Sequence, residues 1–262
     1  MIQNKTYRFL KTSAAACSFF FLIFLISITV NAPAQQQQQL YLPRPSGKIY
    51  HRTGFSLQYN EAFEQADWVA YELTSDEASG NIKRRDNFMA DPEIETGSAL
   101  PGDYRGSGYD RGHLAPAGDM KWSEKAMTDS FYMSNMSPQD PEFNRRIWKE
   151  LEELVRKWAF EDKKLLIAAG PIIIKRYSTI GNNRVAVPAF FFKVIADITE
   201  PDLKAIGFII PNKKTSAPLP AYAVPVDYIE NITGIDFFYQ LDDITEKRIE
   251  AEMEISEWWP WK

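Results

Sequence analysis

The chain has 262 residues, 45% hydrophobic, 14% aromatic and 25% charged, a composition that excludes disorder, collagen and coiled coil for its bulk. Thirty basic residues stand against 35 acidic ones, a formal net charge of −5, so there is no whole-protein basic field and any anion site must be a local patch. One cysteine, Cys17, excludes an intrachain disulfide and a cysteine zinc site, and two histidines, His51 and His113, exclude a three-histidine metal site.

From the N-terminus, Lys5, Arg8 and Lys11 precede an uncharged stretch over residues 12–30 whose apolar centre is residues 19–28. Ala32-Pro33-Ala34 then supplies a small-x-small cleavage pattern. Residues 1–34 read as a secretory signal peptide. An uncleaved membrane anchor is the alternative, because the uncharged stretch approaches the ~18–20 residues needed to span. Cys17 precedes the apolar run, which argues against a lipoprotein anchor. Export is therefore expected, to a periplasmic or extracellular location, with membrane retention if the segment stays. Cleavage would leave 27 basic residues against 35 acidic ones, and no cysteine, so the fold must hold without disulfides. Residues 35–46, opening with the run Gln35–Gln39, read as a low-complexity linker.

Residues 47–262 read as one α+β domain. Residues 67–73 (DWVAYEL) alternate as a strand does. A short helix is expected over 123–129. The apolar run 165–174, interrupted by Gly170-Pro171, suits a buried strand, and 189–198 and 203–210 add two more before the turn at Pro211-Asn212. Residues 245–255 are expected as a charged helix with a solvated outer face. The clearest helix runs over 141–160, with Asp140 as N-cap and Pro141 in the first position. At about 100° per residue, Phe143, Ile147, Leu151, Leu154, Val155 and Trp158 form an apolar stripe with Trp148 on its edge. Arg145, Lys149, Glu153 and Arg156 point the other way. Asn144 falls at the centre of the stripe, and a buried amide must be hydrogen-bonded or ligated or it costs roughly 1–3 kcal/mol. Glu152, two turns on, borders the same stripe.

The segment Asp110-Arg111-Gly112-His113-Leu114-Ala115-Pro116 concentrates chemistry. Glycine beside the histidine permits close backbone approach. Histidine titrates in the range that suits a general base, and arginine matches phosphate geometry with a two-pronged fork. A histidine by itself is more often structural than catalytic, and His51, ahead of the first clear strand, reads as structural.

DRGHLAPAG, with Gly118 five positions after the histidine, resembles the signature of the DNA/RNA non-specific endonucleases. Residues 133–152 (MSNMSPQDPEFNRRIWKELE) resemble that family's metal helix, with Asn144 and Glu152 eight positions apart. Residues 67–73, Asp91-Pro92, Val224-Pro225-Val226 and Thr233-Gly234-Ile235 also match family segments, so the resemblance covers roughly residues 50–240. It implies a ββα-metal, or His-Me finger, nuclease fold with a central antiparallel sheet flanked by helices. It further implies Mg²⁺, with Mn²⁺ able to substitute, held directly by Asn144 and through water by Glu152. Asp110 is implied as a supporting partner of that site, His113 as the general base, and an arginine as the transition-state cation.

For that last role Arg84 and Arg85 compete, because the spacing to Asp91-Pro92 aligns only with a one-residue shift; Arg85 is favoured here. Arg111 joins the catalytic set, and Arg84, Arg85 and Arg145 are candidates to bind substrate phosphate. The implied reaction is water attack on DNA or RNA phosphodiesters, leaving 5′-phosphate and 3′-hydroxyl ends. The expected partners are DNA and RNA, and a homodimer is left open. Two alternatives remain at the level of sequence: a nucleic-acid-binding or uptake protein of the same fold, and a hydrolase of a non-polynucleotide phosphodiester.

Overall fold

The computed structural model describes residues 42–162, 164–201 and 203–259. These residues lie in one compact unit. The segment expected as a signal peptide, with Cys17, and residues 35–41 of the expected linker lie outside the described residues. Among the described residues no helix is long and apolar enough to cross a membrane.

The chain opens with β1 (Ile49–His51), β2 (Ser56–Asn60) and β3 (Gln65–Thr74), followed by the short helix α1 (Ser75–Ala78). After a long connection come β4 (Asp110–His113), α2 (Glu124–Asp129) and β5 (Met136–Gln139). A π-helical turn at Phe143–Trp148 runs directly into α3 (Lys149–Asp162). Next are β6 (Lys164–Ile172), the small hairpin of β7 (Thr179–Ile180) and β8 (Val185–Ala186), then β9 (Phe190–Asp197), β10 (Lys204–Pro211) and β11 (Ala223–Val224). Helices α4 (Val226–Thr233), α5 (Asp243–Ala251) and α6 (Ile255–Trp258) end the described chain.

Seven strands form the central sheet in the order β1-β2-β3-β6-β9-β10-β11. Every pairing in it is antiparallel. Strand alternation divides the core between the two faces. Val69, Tyr71 and Leu73 of β3, with Phe191 and Ile195 of β9, pack on one face against Trp148, Leu151, Val155 and Trp158. Trp68 and Ala70, with Phe192, Val194 and Ala196, pack on the other against Val226, Ile229, Phe237 and Ile249. The sheet is thus covered on both sides, with α3 on one face and α4 and α5 on the other. Truncating a filled position such as Leu151 to alanine removes about 2–5 kcal/mol.

The four strands expected over 67–73, 165–174, 189–198 and 203–210 are β3, β6, β9 and β10, with β6 ending two residues early at Ile172. Helix α2 starts after Ser123, whose hydroxyl accepts from Ala126 N–H. The C-terminal helix differs from expectation. It occupies Asp243–Ala251, capped by the Asp242 carboxylate, and is not a solvated outer face throughout, because Ile249 and Glu250 are buried. Its few apolar residues are spaced too widely to announce a buried side.

Candidate active site

Strands β4 and β5 pair antiparallel away from the main sheet, with Asp110 opposite Gln139 and His113 opposite Met136. Gly112 is required there, because a Cβ would overlap the side chain of Gln139 packed over it. Asn135 fixes the strand's exit. Its side chain accepts from Ala115 N–H at 2.9 Å and donates to the carbonyls of Ala115 and Ser130. The hairpin and the helix after it form the ββα unit, and a cleft opens between His113 and Asp110 on one wall and Asn144, Arg145, Glu152 and Arg156 on the other.

The helical wall departs from the 3.6-residue period assumed for the sequence. Asp140 does cap the start, accepting from Glu142 N–H at 2.8 Å and Phe143 N–H at 3.3 Å. Residues Phe143–Trp148 then form a π turn. An inserted residue rotates everything after it by about 100°. In an unbroken α-helix, positions eight apart sit about 80° from one another, whereas with one residue absorbed in the π turn they come within about 20°. The turn therefore brings Asn144 and Glu152 onto one face, the cleft face. It also drives Trp148 from the edge of the stripe to complete burial and leaves Leu154 only partly buried. Asn144 is accordingly half-buried at the cleft wall and not at the centre of the apolar stripe. Arg145, Lys149 and Arg156, expected to face away, line the same cleft.

The polar groups are held in specific attitudes. Asp110 accepts from Arg145 Nε at 2.8 Å and Nη2 at 2.6 Å, and from Asn144 Nδ2 at 2.9 Å. That last bond consumes the amide nitrogen and leaves Asn144 Oδ1 without a hydrogen bond from any described residue. Burial works to raise the Asp110 pKa, but the bonds from Arg145 and Asn144 outweigh it and hold the carboxyl below its usual range. Arg111 lies over the Phe88 ring, 4.4 Å from its centroid.

His113 is buried, 8% exposed, and its Nε2 has no partner. Its ring stands edge-on to Phe131 at 5.0 Å and tilted to Phe88 at 5.8 Å, so packing sets its orientation. Burial, and then the charge of Arg84, push its pKa down to about 3, with Asp86 opposing. The imidazole is therefore neutral, and a neutral imidazole keeps one ring nitrogen able to accept a proton. Glu152 goes the other way. Burial raises it to about 7, opposed chiefly by Lys193 and also by Arg156 and Arg84, while Asp119 adds to the rise.

The two competing arginines separate. Arg84 lines the cleft, its Nε bonded to Asp86 at 2.7 Å and its guanidinium 5.3 Å from the Phe131 centroid. Arg85, favoured from sequence spacing, is exposed and pairs with Glu124 at 3.2 Å outside the cleft. A one-residue ambiguity in a loop without periodicity has no local signal to resolve it. His51 also stays apart, on β1 with Nδ1 2.8 Å from Ser56 Oγ. Asp91 is structural, buried against Arg52 Nη2 at 2.5 Å and bonded to Ser134.

Arg156, Asp119 and Lys193 were not among the site residues expected from sequence. Arg156 donates to the buried Asp119 carboxylate at 2.7 Å. A Cβ on Gly118 would meet Arg156 Nη1 at 2.8 Å, which explains the small residue after the histidine box. Lys193 is fully buried beneath the site, its Nζ unpaired and 4.8 Å from the Trp148 ring centroid. Burial lowers its pKa, and Glu152 and Asp119 oppose that. A lysine within the apolar run 189–198 was the available signal.

Comparison with known proteins accords with this geometry. The family model described as DNA/RNA non-specific endonuclease matches residues 38–244. Mitochondrial endonuclease G of Homo sapiens is 35% identical over 205 residues, covering 72% of this chain and 69% of that protein. A nuclease of a Nostoc species is 32% identical over 225 residues, covering 80% of each. A chain in the crystal structure of the EndoG/EndoGI complex superposes with a TM-score of 0.74 at 29% identity, covering 81% of this chain and 94% of that one.

Proposed function

The chain belongs to the DNA/RNA non-specific endonuclease family and is a nucleic-acid hydrolase of the α+β His-Me finger fold, and on that premise we propose that it is an exported, Mg²⁺-dependent enzyme that cuts both DNA and RNA. The observation that carries the reading is that one cleft is lined by a neutral histidine, His113, and by Asn144, whose Oδ1 accepts from no described residue.

The donor set suits a hard cation. An amide oxygen with a carboxylate nearby, and little else, matches Mg²⁺, which prefers oxygen ligands and keeps several waters. Asn144 would hold the ion directly, and Glu152 would accept from its waters and orient them. When bound, the ion supplies charge stabilisation at the phosphate and the leaving 3′-oxygen. The remaining work belongs to side chains. Neutral His113 takes a proton from water as the water oxygen bonds to phosphorus and the bond to the 3′-oxygen breaks; the 3′-oxygen takes a proton from a second water, leaving 5′-phosphate and 3′-hydroxyl ends. Because water is the nucleophile, a 2′-hydroxyl is not needed. Arg84, beside His113, is assigned to the charge that develops on the phosphate, and Arg111, Arg145 and Arg156 to backbone phosphates. Asp110 orients Asn144 and Arg145. Arg85 is given no role in this scheme.

Export rests on the N-terminal segment and is read by mass spectrometry of the N-terminus of the secreted chain; whether the chain pairs as a homodimer is read by light scattering. The central test is digestion of supercoiled plasmid and of RNA with Mg²⁺, Mn²⁺ or EDTA. Fragmentation of both substrates is expected with either metal and none with EDTA. Cutting of a small phosphodiester but neither polymer would overturn the proposal.

A further inference from the structure

On the sheet face opposite α3, helices α4 and α5 pack over Val226, Ile229 and Ile249. Asp227 and Glu230, three positions apart on α4, meet Glu250 of α5 there, each offering a carboxylate oxygen within 4.8 Å of the other two. Glu230 is anchored, its Oε1 accepting from Phe237 N–H at 2.7 Å. Glu250 is not. It is 5% exposed, its buried Oε1 has no partner, and among the described residues no side chain or backbone group bonds it.

No lysine, arginine or histidine nitrogen among the described residues comes within ion-pair reach of the three carboxylates. Their other charged neighbours, Asp236 and Glu246, are acidic too, and Arg44 is engaged with Asp236 at 2.5 Å. Burying a carboxylate without compensation is costly, and the cost is relieved by a proton or by a cation. We propose that Asp227, Glu230 and Glu250 bind a divalent cation, Ca²⁺ in preference to Mg²⁺, that clamps α4 to α5 apart from the catalytic cleft. Three carboxylates at one site suit Ca²⁺, which takes six to eight oxygen ligands, whereas Mg²⁺ is usually held by one or two carboxylates and keeps its waters. Burial and the surrounding carboxylates push Glu250 up to about 9, and burial brings Glu230 to about 7, as an uncompensated cluster requires.

The test uses the full chain stripped with EDTA and titrated with CaCl₂, read by calorimetry and by thermal unfolding. The Asn144→Ala variant, which lacks the proposed cleft ligand, should still bind one Ca²⁺ per chain. Its Tm should rise by about 5–10 °C at free Ca²⁺ a hundredfold above Kd. Adding Glu250→Gln or Glu230→Gln should abolish both signals. In the otherwise unaltered chain, Glu250→Gln should leave Mg²⁺-supported plasmid cleavage within about twofold, since the cluster lies across the sheet from the cleft. Absence of Ca²⁺ binding in Asn144→Ala would overturn the proposal. So would equal binding and equal Tm shifts with and without Glu250.

Discussion

Each face of the central sheet carries a glutamate whose pKa is raised, Glu152 half-buried and Glu250 buried, and the two faces treat it differently. Glu152, on the cleft face, is surrounded by Lys193, Arg156 and Arg84, which oppose the effect of burial so that its pKa settles at about 7. Glu250, on the other face, has Asp227, Glu230, Asp236 and Glu246 around it, which add to burial and take it to about 9. A net charge of −5 conceals this division. Arg84, Arg111, Arg145, Lys149 and Arg156 line the cleft, whereas no basic side chain among the described residues pairs with Asp227, Glu230 or Glu250. What matters for function is where countercharge sits, and the sum over the chain does not reveal it.

The largest effects expected lie in the cleft. Asn144→Ala should abolish almost all plasmid cleavage. His113→Ala should lower kcat by about 10²–10⁴-fold while a filter-binding assay still detects DNA. Near-normal cleavage by the His113 variant at neutral pH would remove the general base from the scheme. Next comes the contrast between adjacent arginines. Arg84→Ala should cost about 10²–10³-fold in kcat, as loss of a positioned charge donor does, and Arg85→Ala about twofold or less. The reverse order in a plasmid assay would restore the sequence-based preference.

Glu152→Gln should cost about 10–100-fold, partly recovered by added Mg²⁺ or Mn²⁺, because its assigned partner is water on the ion and not the ion itself. A metal titration in which Glu152→Gln fails to bind and Asn144→Ala binds normally would exchange the two roles. The smallest effect belongs to the other face. Glu250 has an ordinary pKa of 4.5 and a folded value of about 9, so the folded chain holds that proton more tightly than the unfolded one. Its contribution to stability is present below pH 4.5 and is lost as pH climbs towards 9. In EDTA, Glu250→Gln should therefore raise Tm over the parent increasingly between pH 5 and 9, by about 2–4 °C for each kcal/mol relieved. A Tm difference independent of pH would show that Glu250 does not titrate in this range.

Much of the architecture was legible because burial writes itself into local patterns. Strands β3, β6, β9 and β10 announce themselves by alternation or by continuous apolar runs, and Asp140-Pro141 marks the helix start. Asp110, Arg111, Gly112 and His113 are contiguous, so a short strand delivers them together. The π turn was not legible. It leaves composition unchanged and alters only the period, so the 3.6-residue projection placed Asn144 in the core and turned Lys149 and Arg156 away from the cleft. The choice between Arg84 and Arg85 was equally hidden, since loop backbone follows the contacts of Asp86, Phe131 and Glu124 and carries no repeat of its own.

The sequence by itself determined the family, the fold class and the principal strands and helices, and it supplied the candidate site residues, because these depend on residue type and near-neighbour spacing. The tertiary structure decided the electrostatics. Lys193 beneath Glu152, Arg156 against Asp119 and Gly118, and Glu250 beside Asp227 and Glu230 are all brought together from separate elements. A charge's energy depends on its burial and on the other charges within a few ångströms. Those distances are set by how the sheet and helices pack, and no local stretch of sequence records them.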